Sequence, residues 1–219
     1  ASDVYKRQPF TTLFVDGNHE NHDRLDAMPV SEWNGGKVHF VRPNVIHLMR
    51  GQVFTLQGQT YFTFGGASSH DISGGILNPE DYKLGVQDPD FKRMYKRMQG
   101  NPLPFRIKDI SWWERELPNE SEMREGLENL KKHNNKVDFI ITHSPCTSDL
   151  FLLGGAGFYD TDILTNYLEK IRAIVDYQKW YFGHMHINKQ LNLQNLCLYE
   201  QILMVPDKNY VYQFPEEER

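Results

Sequence analysis

The stretch TTLFVDGNHE, residues 11–20, sets an apolar run directly against an acid, a glycine, an amide, a histidine and a second acid. Residues 11–15 are β-branched, aromatic or aliphatic and stop at a glycine turn, which reads as a short buried strand. Two later stretches repeat the arrangement. VDFIITHSPC, residues 137–146, carries a strand over 137–141 into His143, and KWYFGHMH, residues 179–186, carries a strand over 179–182 into His184 and His186. In layered α/β folds, ligand sites form beyond the carboxyl ends of strands, where loops from separate strands converge. Asn18, His19, His143, His184 and His186 therefore stand at positions that the fold can bring together.

Around these strands the chain reads as mixed α/β. Residues 37–41 predict a strand, and residues 52–57 and 60–64, separated by Gly58-Gln59, predict a hairpin. A glycine- and serine-rich loop spans 65–75, with Ser69 and His70 placed to touch a ligand. A polar excursion over 78–118 follows, holding a basic helix at 90–99 and the pair Trp112-Trp113; connections of this length are usually lids or contact surfaces. Asn119 and Glu122 form a capping box for a helix whose face runs through Met123, Leu127 and Leu130. His133 lies near the end of that helix and reads as surface. Leu164, Tyr167, Leu168, Ile171, Ile174 and Val175 make the apolar stripe of a second helix starting near Thr161. Residues 197–205 read as the last core strand. Strands alternating with helices, with hairpins between them, predict layered α/β rather than a purely parallel sheet.

At 219 residues the chain suffices for one α/β domain, expected over 9–214, ahead of an acidic tail at 215–219. Its net charge of −5 offers no basic footprint for duplex nucleic acid or an anionic membrane. A phosphate-bearing substrate remains compatible, because a metal would add local positive charge. Two cysteines, Cys146 and Cys197, are too few for a disulfide framework, so a reducing cytoplasm is the default expectation. No apolar run approaches the roughly 20 residues needed to span a bilayer. Residues 1–8, ASDVYKRQ, resemble the translated end of a sequencing-library adapter and are expected to be such a scar or a disordered terminus.

The chemistry lies in the residue types at the strand ends. Imidazole nitrogen and amide oxygen suit borderline divalent ions such as Mn, Fe, Zn or Ni. In extended chain a His-x-His pair points to opposite faces, so His184 and His186 reach one centre only if the segment bends, which Gly183 would permit. Each motif alone has an ordinary packing explanation; their joint occurrence at three strand ends carries the functional reading. His39 and His47, in apolar strand contexts, read as structural, His22 as packing at a helix start, and Cys146 as a small buried residue.

Gly17-Asn18-His19-Glu20, Thr142-His143-Ser144-Pro145 and Gly183-His184-Met185-His186, in this order, resemble the calcineurin-like metallophosphoesterases. The resemblance implies a layered β-sandwich flanked by helices and a dinuclear metal centre, manganese among the candidate ions. It implies that Asn18, His143 and His184 hold one ion and His186 the other. His19 would be the acid that protonates the leaving oxygen, with Glu20 supporting the loop and Asn18 and His70 touching substrate. A hydroxide activated between the two metals would attack the phosphorus of a mono- or diester. The family's two earlier strand-end motifs, Asp-x-His and Gly-Asp-x-x-Asp, do not precede residue 10. The expectation is therefore a domain lacking its first strand-helix units, and an impaired enzyme if tested alone. The alternative is a non-catalytic scaffold of the same fold.

Overall fold

The computed structural model describes residues 10–82, 93, 100, 104–154 and 159–205. In chain order the strands are β1 (Thr12–Phe14), β2 (Val30–Trp33), β3 (Gly36–Arg42), β4 (Val45–Leu48), β5 (Gln52–Leu56), β6 (Gln59–Phe64), β7 (Ile76–Leu77), β8 (Arg106–Ile107), β9 (Phe139–Thr142), β10 (Lys179–Phe182), β11 (Lys189–Gln190) and β12 (Asn195–Cys197). The helices are α1 (His22–Asp26), α2 (Glu120–Lys132), α3 (Thr147–Gly154) and α4 (Ile163–Ile174), with 3-10 turns at Pro79–Tyr82 and Glu114–Glu116.

One sheet has the order β1-β4-β3-β2 and a larger one β11-β12-β10-β9-β6-β5, while β7 and β8 pair separately. In the larger sheet β6, β9, β10 and β12 run parallel, so their carboxyl ends share one edge. Phe62, Ile140 and Trp180 align across three of these strands, and Phe64, Thr142, Phe182 and Cys197 form the next aligned row. All of these except Thr142 enter the main core, which Leu130 of α2 and Leu164, Tyr167, Leu168 and Ile171 of α4 close from the helical side. A second core of Val38, Ile46 and Leu48 from the smaller sheet packs on Phe54 of β5. The layers are thus sheet, sheet and helices, the helix-flanked α/β sandwich expected.

The capping box of α2 forms as predicted: Glu122 N donates to Asn119 Oδ1 at 3.0 Å and Asn119 N to Glu122 Oε2 at 2.9 Å. α4 has its own box, but at Asp162 and Thr165, so it starts at Ile163 instead of near Thr161. The expected last strand over 197–205 is a correction. Only Asn195–Cys197 pairs, because its neighbour β10 ends where Phe182 meets Cys197. Beyond that point no strand among the described residues is left to bond with, and Ile202 is 99% exposed. The basic helix expected over 90–99 lies outside the described residues except for Arg93. Among the described residues no helix is long and apolar enough to cross a membrane.

Gly126, in the middle of α2, has a packing reason. A Cβ there would stand 2.3 Å from Tyr167 Oη and 3.2 Å from Gly51 Cα. On an open helix face Gly→Ala usually gains about 0.5–1 kcal/mol. Gly126→Ala should instead destabilise by about 1–3 kcal/mol through overpacking, read as a lower urea midpoint.

Candidate functional site

The strand ends meet. Gly66 N donates to Asp16 O at 2.8 Å, joining the end of β6 to the turn after β1. His143 N donates to Phe64 O at 3.3 Å and Gly183 N to His143 O at 3.1 Å, extending the ladder one step past β6, β9 and β10. Gly17 lies so close to the His143 ring that a Cβ would be 3.0 Å from Nε2. A side chain at position 17 would push the two strand ends apart.

One cavity of about 320 Å³ is lined by Asn18, His19, His70, Asp71, His143, Tyr159, His184, Met185 and His186. It includes every residue expected to bind metal, together with His19 and His70. The His143 and His184 ring centroids are 5.2 Å apart, those of His70 and His184 4.6 Å, and His186 stacks on Tyr199 at 5.0 Å. Burial pushes the pKa of His143 down to about 4 and that of His184 to about 3, the latter helped by the neighbouring His143 and His70. Both rings are therefore neutral near pH 7, the form that can donate a lone pair. His184 Nε2 is buried and has no hydrogen-bond partner among the described residues. In chemistry and location these donors fit a divalent ion. Among the described residues, however, no three of His, Cys, Asp or Glu are gathered closely enough to hold one.

The bend in Gly183-His184-Met185-His186 is made differently from the expectation. Gly183 continues the ladder, and the turn falls on the histidines, with φ of +66° at His184 and +51° at His186. Met185 N donates to Gly183 O at 2.8 Å, closing a three-residue turn with positive φ at its centre, a rare and strained form. Both histidines thus occupy backbone regions that side chains disfavour. Replacing His184 by Gly should therefore leave the protein about 1 kcal/mol more stable than replacing it by Ala, reversing the usual order of the two residues. Paired thermal melts of the two variants check this.

The other expected residues divide. Glu20 turns away from this cavity and lines a separate one of about 570 Å³ with Thr12, Phe14 and Arg24. Its pKa is raised by burial and then by the charge of Asp16. His19 is exposed and lines both the histidine cavity and a groove of about 550 Å³ with Asn21, Arg106, Ile110, Ser111 and Trp113. Burial, then the charge of Arg106, lower its pKa. Cys146 is fully buried, and burial raises its thiol. His39 and His47 are also buried. They belong to a chain in which His47 Nε2 lies 3.2 Å from Asp16 Oδ1 and the two Nδ1 atoms lie 3.2 Å apart.

Several site residues carried no local signal. Asp71 reaches the cavity, with its carboxylate held by Arg106 through an Nε contact of 2.9 Å and a second contact from Nη2. Glu116 is 2% exposed and accepts from Ser69 N at 3.2 Å, while Asn18 Nδ2 donates to Ser69 Oγ at 3.1 Å. Burial pushes the Glu116 carboxyl up to about 7 from an ordinary 4.5, against the hydrogen bond from Ser69 N and the charge of Arg106. Between those two values the unfolded chain has released the proton and the folded one keeps it, so stability falls as pH rises. The loss is bounded at about 3 kcal/mol. Glu116→Gln should flatten the melting temperature between pH 5 and pH 8, whereas the wild type declines across that range.

No protein-family model matches the chain, and no solved structure does. The chain is similar to the lariat debranching enzyme of Schizosaccharomyces pombe, 26% identical over 137 residues. The aligned stretch covers 63% of this chain and 22% of that enzyme, so the chain spans about a fifth of the curated relative's length.

Proposed function

We propose that this chain carries the site of a metal-dependent phosphoesterase, in which Asn18, His143 and His184 hold one divalent ion, His186 holds a second, and His19 protonates the leaving oxygen. The observation that supports it is the single cavity shared by Asn18, His19, His143, His184 and His186, which come from three separate strand ends. The neutral imidazoles and the unpartnered His184 Nε2 suit borderline ions such as Mn, Fe, Zn or Ni. When bound, such ions supply charge for the phosphate oxygens and acidify water to near neutrality.

The chain's own residues do the rest. Asn18 is buried, with its amide nitrogen engaged by Ser69, so its oxygen is the end available to a ligand. His19 stands exposed where the histidine cavity meets the Arg106 groove, so it can pass a proton to an oxygen departing toward that groove. Similarity to a lariat debranching enzyme supports phosphoester hydrolysis and adds a branched substrate to the candidates. The competing reading is a non-catalytic scaffold, favoured by the lack of a tight three-residue ligand cluster among the described residues.

Hydrolysis of p-nitrophenyl phosphate and its bis ester, with Mn²⁺ or with EDTA, separates the two readings. The assay uses the protein that carries this chain. Mn²⁺-dependent turnover that His184→Ala abolishes is expected. Turnover insensitive to both EDTA and His184→Ala, or none with any divalent ion, would contradict the enzyme reading.

A further inference from the structure

We propose that Ser69, anchored by the buried carboxylate of Glu116, is a positioning residue that turns the carboxamide oxygen of Asn18 toward the histidine cavity; this rests on the reading of that cavity as a metal-binding phosphoesterase site. An asparagine side chain has an acceptor end and a donor end of nearly equal size, and its hydrogen-bond partners decide which one faces a site. Both hydrogen bonds of the Asn18 side chain use Nδ2, to Ser69 Oγ at 3.1 Å and to His19 Nε2 at 3.4 Å. The donor end is thereby engaged, and Oδ1 is left for the cavity that Asn18 lines. If Ser69 had no hydroxyl, nothing comparable would distinguish the two ends.

Ser69 can direct Asn18 only if it is itself fixed. It is 3% exposed, and its backbone N–H donates to Glu116 Oε2 at 3.2 Å. Two residues earlier, Ala67 N donates to Glu116 O at 3.1 Å, so the loop after β6 is tied to the segment around Glu116 at two points. That segment is held in turn by Arg50 Nη2, which donates to Arg115 O at 2.7 Å. Stability alone explains this arrangement poorly, because Glu116 Oε1 is buried without a partner among the described residues and burying such an atom costs free energy. Residues that break a local rule of stability are often those that serve a site.

The test is Mn²⁺ affinity, measured on the full chain by the loss of the free-ion electron paramagnetic resonance signal, with thermal melts alongside. Ser69→Ala should weaken Mn²⁺ binding about 10- to 100-fold, the usual cost of removing a group that orients a metal ligand. Ser69→Thr, which keeps the hydroxyl, should retain most of the affinity. A Ser69→Ala variant that melts lower but binds Mn²⁺ like the wild type has lost a merely structural residue, and the proposal is overturned. A Thr variant as weak as the Ala variant overturns it as well. Asn18→Ala and His143→Ala separate this from failure of the parent reading. If they weaken binding and Ser69→Ala does not, only the positioning role falls. If neither weakens it, the metal site itself is misassigned and the positioning role falls with it.

Discussion

Replacing His19 by Asn should slow hydrolysis of an alkyl phosphate ester by about 10²- to 10⁴-fold while leaving metal content unchanged. The ring is exposed, in contrast to the buried Asn18 beside it. Its Nε2 lies 3.4 Å from Asn18 Nδ2, so it adjoins a proposed ligand and accepts there, and Nδ1 is the nitrogen that carries the proton for the substrate. A general acid matters in proportion to the basicity of the oxygen it protonates. The loss should therefore shrink toward unity for p-nitrophenyl esters, whose leaving group departs as a stable anion. Comparing rates for good and poor leaving groups, with metal content measured on each preparation, decides the matter. If metal content falls with activity, His19 is a ligand and its role as an acid is wrong.

The second large effect concerns folding. Asp16→Ala should destabilise the protein by about 3–5 kcal/mol, because it takes the closest carboxylate from a buried guanidinium and leaves it only Glu122, whose Oε2 is 3.5 Å from Arg50 Nη1. Asp16 and Arg50 are 2% and 6% exposed, and Asp16 Oδ2 accepts from Arg50 Nε at 3.0 Å and Nη2 at 2.6 Å. Burial pushes the Asp16 carboxyl up, but Arg50 and then His47 outweigh it and hold the group well below the usual carboxylate range. Because the Asp16 carboxylate can only accept, His47 donates to it through Nε2. For a domain of this size the cost corresponds to a melting temperature lower by on the order of 10 °C. Asp16→Ala combined with Arg50→Met should recover part of it, because the pair is then removed together. A single-variant cost under about 1 kcal/mol in urea melts would show that the ion pair contributes little.

The parts of this fold that could be read from sequence are those with a local cause. The β5-β6 hairpin follows from alternation around Gly58-Gln59, α2 from its capping box, and α4 from an apolar stripe at helical spacing. The strands β2 and β4 had no such signature. Val45–Leu48 is buried at all four positions, so no alternation marks it, and it is too short for composition to decide. Residues 198–205 failed in the opposite way, since they have the composition of a strand and, among the described residues, no strand to pair with.

The site divides along the same line. Asn18, His143, His184 and His186 stand at strand ends that the sequence marks, and strand order brings them to one cavity. Glu116, Ser69, Arg106 and Asp71 act through contacts 35 to 51 residues apart in sequence, which nothing local encodes. The positive φ values of His184 and His186 were equally invisible, because the glycine beside them made a different bend plausible.

Anomalous diffraction from crystals grown with Mn²⁺ tests the central assignment most directly. A peak is predicted inside the cavity lined by Asn18, His143, His184 and His186, with imidazole nitrogens and the Asn18 oxygen about 2 Å from it. A fully occupied ion bound elsewhere in the molecule, with those three histidines uncoordinated, would contradict the account.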